Sequence, residues 1–314
     1  MAKRVVIFLS FFLLFPLFGQ RLSFVEKIDV PDSFFAITDF CVNDGTIFML
    51  DRRGCQLFVN GKVKNLRGQG PGETISPRFI LIDKKKFDFV IVDSSTLKIN
   101  VYNNKFIFKQ SFRLNFRPFS VAVYDGKIAV SYYLQKNKID VFDFRGNLIA
   151  KIVKKDSSQF DSHKLTSLLG KKLFFDEKGF LYACDVVSGK LEKFNRNFQL
   201  VYTKKILKDD NDILKNDKNE KIKSPLDPKS LVIAKRLKKL RRIVDIKFDF
   251  GKHLIVVLVR EKEKEKLLFL RSEDFKEKFG FSLTYSNYVE LKIDGNNFYL
   301  LDEEGTFIKV FSLK

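Results

Sequence analysis

The feature that most constrains this chain is a recurring run of apolar alternation broken by tight turns, plainest between Val123 and Ile149. Val123-Tyr-Asp-Gly-Lys-Ile-Ala-Val130 reads as a strand, an Asp-Gly turn and a second strand. Lys138-Ile-Asp-Val-Phe-Asp-Phe-Arg-Gly-Asn-Leu-Ile149 adds a third strand, a turn at Arg145-Gly146-Asn147 and a short fourth. Together they make one antiparallel meander.

Relatives of this meander fill the chain. The first turn of each unit aligns at Asn43-Asp-Gly45, Asp83 to Lys86, Tyr124-Asp-Gly126, Asp176 to Gly179, Asp249-Phe-Gly251 and Asp294-Gly295. Each turn is followed by a β-rich second strand, such as Phe89-Val-Ile-Val92 or Leu254-Ile-Val-Val-Leu-Val259, and by a third, such as Lys98-Ile-Asn-Val-Tyr102 or Phe307-Ile-Lys-Val-Phe311. A fourth strand can be drawn in five units. Four-stranded sheets repeated about every 40–50 residues are the mark of a β-propeller. The expected fold is therefore all-β: a six-bladed β-propeller of four-stranded antiparallel blades.

The chain ends bear on closure. The sixth unit stops at Lys314 after three strands, while Leu22-Ser-Phe-Val-Glu-Lys-Ile-Asp-Val30 alternates like a strand and belongs to no complete unit. Ring closure, with this N-terminal strand completing the last blade, would remove an open sheet edge.

Residues 1–19 read as a signal peptide, with Lys3 and Arg4 before the apolar run Val5 to Phe18 and small Gly19 after it. Ser10 and Pro16 interrupt that run, which falls short of the roughly 17–25 residues that span a bilayer. Residues 20–314 are then the propeller, and its expected place is periplasmic or extracellular. The chain is expected not to be transmembrane after signal removal, and to be a monomer.

Three cysteines in an exported chain leave at least one unpaired. Cys41 and Cys55 fall on strands one and three of a meander, about 9–10 Å apart at roughly 4.8 Å per strand. A disulfide needs Cα atoms closer than roughly 7 Å. No structural disulfide is expected there, and Cys184 reads as core.

The formal charge is +20, and +18 without Lys3 and Arg4. Exported proteins meet little nucleic acid, so a protein, an acidic glycan or an envelope surface is the expected partner class. Many of the lysines are scattered over turns and solvent-facing strand positions, which is also what a general compositional bias produces.

Two segments depart from the repeat. Residues 208–242 start as a charged loop, pass Pro225 and Pro228, and turn helix-like over Lys229 to Arg242. Leu231, Ala234, Leu237 and Leu240 recur every three residues among Lys235, Arg236, Lys238, Lys239, Arg241 and Arg242. That is either a basic amphipathic helix for an acidic partner or membrane surface, or a surface helix packed by its leucine stripe.

The second is Arg67-Gly-Gln-Gly-Pro-Gly-Glu73, followed by Ser76-Pro77-Arg78. Gly68, Gly70 and Gly72 around Pro71 can adopt positive φ and leave amides exposed, as an anion cradle would. Arg67, Gly68, Gln69, Gly70, Gly72, Glu73 and Arg78 are the candidate binding residues. The competing reading is a rigid inter-blade turn held by Glu73 pairing with Arg78 or Arg67. No Gly-Lys-Ser/Thr follows, so this is not a P-loop.

The stretch resembles the Gly-x-Gly-Pro-Gly-Glu motif of bacterial exported six-bladed β-propellers related to the NHL-repeat and TolB-like groups. Here Thr74 stands where an aromatic residue commonly follows the Glu, while Pro77 is present. The resemblance implies fold and export more than activity.

Asp51, Asp93, Asp185 and Asp302 each follow a second strand. Recurrence at one place in successive blades gives them a structural role, accepting hydrogen bonds from turn amides. With His163 and His253 alone, no multi-histidine zinc site can form, and no Gly-x-Ser-x-Gly elbow occurs. No cofactor is expected; Ca2+ stays open, because some six-bladed propellers are calcium-dependent lactonases or esterases whose ligands come from several blades. The expected function is a non-catalytic binding or interaction scaffold, and the alternative is a metal-dependent hydrolase or lyase at the mouth of the central channel.

Overall fold

The computed structural model describes residues 21–30, 33–133, 135–153, 170–186, 188–207, 242–249, 252–261, 264–283 and 288–313. Six four-stranded antiparallel sheets form a ring, as the repeats predict. The inner strands, one per blade, are Ile37–Asn43, Pro77–Ile82, Pro118–Tyr124, Lys171–Phe175, Arg242–Asp249 and Tyr288–Asp294. The second and third strands match the apolar runs read from the sequence.

Closure is as expected. Leu22–Asp29 pairs antiparallel with Phe307–Leu313, from Leu22 opposite Leu313 to Asp29 opposite Phe307, and is the outermost strand of blade 6. Each blade also packs its two faces on its neighbours. Buried clusters join blades 1 and 2 through Leu50 and Ile91, blades 2 and 3 through Val92 and Val130, and so on round to blades 6 and 1 through Leu301 and Phe40. A second strand is therefore covered on both sides, which is why Phe89–Asp93 and Leu181–Asp185 are buried at every residue instead of alternating. At the rim, Lys62–Asn65 of blade 1 is exposed throughout.

The turns follow local chemistry. Asp44-Gly45 has φ of 48° and 74°, and Asp125-Gly126 has 49° and 74°, the double positive φ of a type I′ hairpin. Asp51, Asp93 and Asp302 do cap turns: Asp93 accepts amides of Ser95 and Thr96 at 2.8 and 2.9 Å, Asp51 those of Arg53 and Gly54, and Asp302 those of Thr306 and Phe307. Asp185 accepts the Ser188 amide at 2.9 Å.

Cys41, Cys55 and Cys184 are free and buried. No described residue is helical. The helix-like reading of 229–242 is corrected at its end: Arg242 opens the inner strand of blade 5, opposite Arg260, because the strand that buries Ile243, Ile246 and Phe248 begins there. Lys235, Arg236, Lys238, Lys239 and Arg241 lie outside the described residues.

Candidate functional site

All six inner strands start on the same face of the ring, termed here the entry face. Their common direction follows from contacts between equivalent positions, such as the Asp39 carboxylate with the Ile80 amide at 2.9 Å and Asp245 with the Leu291 amide at 3.0 Å. Five inner strands carry a β-bulge within their first two steps, between Ile37 and Asp39, Pro77 and Phe79, Pro118 and Ser120, Ile243 and Asp245, and Tyr288 and Glu290. Bulges re-aim side chains at sheet ends. The residue re-aimed in blade 2 is Arg78.

The Gly68 to Glu73 loop joins blade 1 to blade 2 on this face, and its backbone groups are mostly engaged. Gly68 donates to the Thr74 carbonyl, Gly70 to the Glu73 carboxylate at 2.7 Å, and Glu73 to the Gly70 carbonyl. Its carbonyls accept from blade 2: Gly70 from the Lys98 ammonium, Gly72 from the Tyr102 hydroxyl and Glu73 from the Asn100 amide. Glu73 thus turns back on its own loop instead of reaching Arg67 or Arg78. Gly68 has φ of 151°, a conformation that L side chains rarely adopt, and the Glu73 carboxylate folds against it. Gln69 is exposed at the loop tip.

The arginines around the loop face outward. Arg67 is exposed and donates to the Arg53 carbonyl at 2.9 Å, and Arg52 donates to the Ser76 hydroxyl at 2.6 Å. Arg78 donates to the Tyr133 hydroxyl and stacks 5.2 Å from that ring's centroid; Arg117, from the next blade, lies 5.5 Å from the same ring. Phe119 meets Tyr133 edge-on at 5.0 Å and holds the ring in place. Among the described residues no carboxylate is paired with Arg52, Arg53, Arg67, Arg78 or Arg117. The carboxylates of this sector are engaged elsewhere: Asp51 and Asp93 bind amides, the exposed Glu73 its own loop, and Asp140 the Tyr132 hydroxyl and Lys138.

One level down the channel, charged side chains from four inner strands form a network that sequence reading missed. Lys292 bridges Asp39 at 2.9 Å and Glu290 at 3.0 Å. Lys247 bridges Asp245 at 3.2 Å and Glu290 at 3.4 Å, while Lys172 reaches the same two at 3.3 and 3.6 Å. Burial pushes Asp39 up to about 6 despite Lys292. Burial also opposes ionisation of Glu290, but Lys292, Lys172 and Lys247 outweigh it and hold Glu290 well below the usual carboxylate range. Lys172 and Lys292 are raised, because their carboxylate partners overcome the burial that would lower them.

The chemistry of this donor set is that of an ion-pair plug. Ca2+ takes six to eight oxygen ligands, largely carboxylate or carbonyl. Here each of the three carboxylates already faces lysine ammonium groups, so the residues present do not fit that ion. Among the described residues no three His, Cys, Asp or Glu side chains are placed to hold a metal. Below the plug, towards the opposite face, lies a cavity of about 140 Å3 with walls of Ile80, Val121, Leu173 and Phe174, beside Lys84 and Cys41. Burial pushes the Cys41 thiol far up, which keeps it protonated and unreactive.

Among the described residues no helix is long and apolar enough to cross a membrane. No family model and no curated protein matches the chain. Solved structures do match over nearly its whole length. A Bacteroides fragilis protein designated as exported is 15% identical over 94% of this chain and 95% of its own, with a TM-score of 0.61. A member of the DUF4221 family from Bacteroides vulgatus is 10% identical over 94% and 98%, with a TM-score of 0.63. Virginiamycin B lyase from Staphylococcus aureus is 10% identical over 94% and 100%, with a TM-score of 0.54. At these identities the likeness is one of fold.

Proposed function

We propose that the protein is an exported, non-catalytic binding scaffold that holds an acidic component of the cell envelope on its entry face. One observation carries this reading: Arg52, Arg53, Arg67, Arg78 and Arg117 cluster on one face of blades 1–3 without carboxylate partners among the described residues, while Asp51, Asp93 and Glu73 of the same sector are engaged by backbone amides. Arginine suits multidentate recognition of anionic groups, and an uncompensated cluster raises the local concentration of an anionic partner. Export is supported by the signal-like pattern of residues 1–19 and by the exported designation of the Bacteroides fragilis neighbour. The lysine-neutralised channel favours a scaffold over a metal-dependent hydrolase or lyase.

The test is retention on immobilised acidic glycans and anionic lipids over a salt gradient. The wild-type chain is expected to be retained and to elute as salt screens the contact. An Arg67→Gln, Arg78→Gln, Arg117→Gln variant is expected to elute much earlier. Equal retention of the variant would remove the entry face from the binding surface.

A further inference from the structure

Three exposed apolar side chains share the face that carries the arginines. Phe35 is 70% exposed, Ile75 43% and Phe116 38%; singly such residues are ordinary, and it is their shared position that makes them a set. Each stands two residues before an inner strand, those beginning at Ile37, Pro77 and Pro118. They are thus equivalent positions in blades 1, 2 and 3, and equivalent positions in a propeller lie at one height around the axis. A single flat surface can touch all three.

Their presentation is built into the backbone. The Phe35 amide donates to Asp51 at 3.0 Å and the Ile75 amide to Asp93 at 2.5 Å, so the turn-capping carboxylates also lock the residue that projects. In blade 3, Tyr132 stands at the equivalent place, and Phe116 packs edge-on against it at 5.7 Å. Lys138, paired with Asp140 at 3.3 Å, lies 4.2 Å over the Phe116 ring. Arg52 and Arg53 follow Asp51, which holds the Phe35 amide; Arg52 reaches Ser76, the residue after Ile75; Arg78 comes three residues after Ile75; and Arg117 follows Phe116 in the chain.

We propose that this sector docks on an anionic phospholipid surface, with Phe35, Ile75 and Phe116 entering the headgroup boundary and the arginines contacting phosphate groups. The inference rests on the scaffold reading above and names its partner. Apolar groups interleaved with cations in one plane suit a bilayer interface, where apolar burial and attraction to anionic headgroups add. An acidic polysaccharide would use the arginines and leave the three apolar groups wet.

The experiment is co-sedimentation of the full chain with vesicles of phosphatidylcholine alone and of phosphatidylcholine mixed with phosphatidylglycerol. The neutral vesicles measure what the apolar residues 1–19 contribute on their own. Wild type is expected to prefer the anionic vesicles, with the preference falling as salt rises. Arg78→Gln with Arg117→Gln is expected to lower the anionic partition roughly twenty- to thirtyfold, at about fivefold per basic residue near the surface. Phe35→Ser, at the most exposed of the three positions, is expected to lower it several-fold while leaving the melting temperature in place. Equal binding to both vesicle types would overturn the proposal, as would an apolar variant that binds like wild type. If vesicles are ignored while the arginine variant still loses retention on acidic glycans, lipid docking fails and the scaffold reading stands. If the arginine substitutions change neither, both fail.

Discussion

Asp93 accepts the amide of Ile75 at 2.5 Å across the junction of blades 1 and 2, and so ties the end of one strand to the residue that projects from the entry face. The same carboxylate binds the amides of Ser76, Ser95 and Thr96. Burial would raise its pKa, but these four amides outweigh burial and hold it below the usual range. Its stabilising contribution is therefore complete above the unfolded value near 4 and is lost as pH falls through the lower folded value. Asp93→Asn turns an NH2 group towards those donors and is expected to cost about 2 kcal/mol. Hydrogen exchange should quicken at Ile75, Ser76, Ser95 and Thr96 together; unchanged protection at these four would sink the clamp.

Much of this architecture is legible in the chain. Asp44-Gly45 and Asp125-Gly126 mark hairpins because few other residue pairs hold two positive φ angles, and the buried second strands announce themselves as unbroken apolar runs. The unpaired alternation of residues 22–30 points to closure for the same reason: a sheet edge needs a partner. The channel network is not legible that way. Asp39, Lys172, Asp245 and Glu290 come from blades far apart in sequence, and bulges in some inner strands but not in Lys171–Phe175 shift the alignment by one residue. A charge inside an apolar inner strand, as in Val289-Glu290-Leu291-Lys292, is the local signal that was there to be read. Phe35, Ile75 and Phe116 become comparable only once the inner strands are in register.

Asp39 should report the state of the channel. Its pKa is raised from 3.8 to about 6, so between those values the folded chain binds a proton that the unfolded chain does not. This group's contribution to stability therefore grows as pH falls from above 6 towards 4. Glu290, held low, acts in the opposite sense: its contribution is full above about 4.5 and fades below it. Carbon-13 titration of the Asp39 carboxyl is expected to show a midpoint near 6. Glu290→Gln should lower that midpoint by removing a like charge, and Lys292→Met should raise it by removing the ammonium group 2.9 Å away. Shifts of the opposite sign would show that the network is wired differently.

Gly305 sits at the junction of blades 6 and 1, with φ of 72°, and its carbonyl accepts the Ile37 amide at 2.9 Å. A Cβ there would lie 2.3 Å from the Ile37 carbonyl oxygen, a backbone atom that cannot step aside without moving the inner strand of blade 1. Gly45, with nearly the same φ of 74°, faces open space. Gly45→Ala should cost about 1 kcal/mol, the left-handed penalty alone. Gly305→Ala adds separation of two blades and is expected to cost about 3 kcal/mol or more, near the upper end for stored backbone strain. Denaturant melts of the two variants would decide, and equal losses would mean that the seam between blades 6 and 1 yields freely.

Removing residues 21–30 takes away Leu22–Asp29 and bares the edge of Phe307–Leu313. The strand itself is largely exposed, so little apolar area is lost directly. What changes is topology, because the last blade is then a three-stranded sheet with open backbone groups along one side. The truncated chain is expected to melt at lower temperature and to aggregate at concentrations where the full chain stays dispersed. A synthetic peptide of residues 21–30 added in excess should restore part of the lost stability, since it can pair with the same edge. A truncated chain that melts and stays dispersed like wild type would show that the six blades hold together through their interfaces alone, without the pairing of the two chain ends.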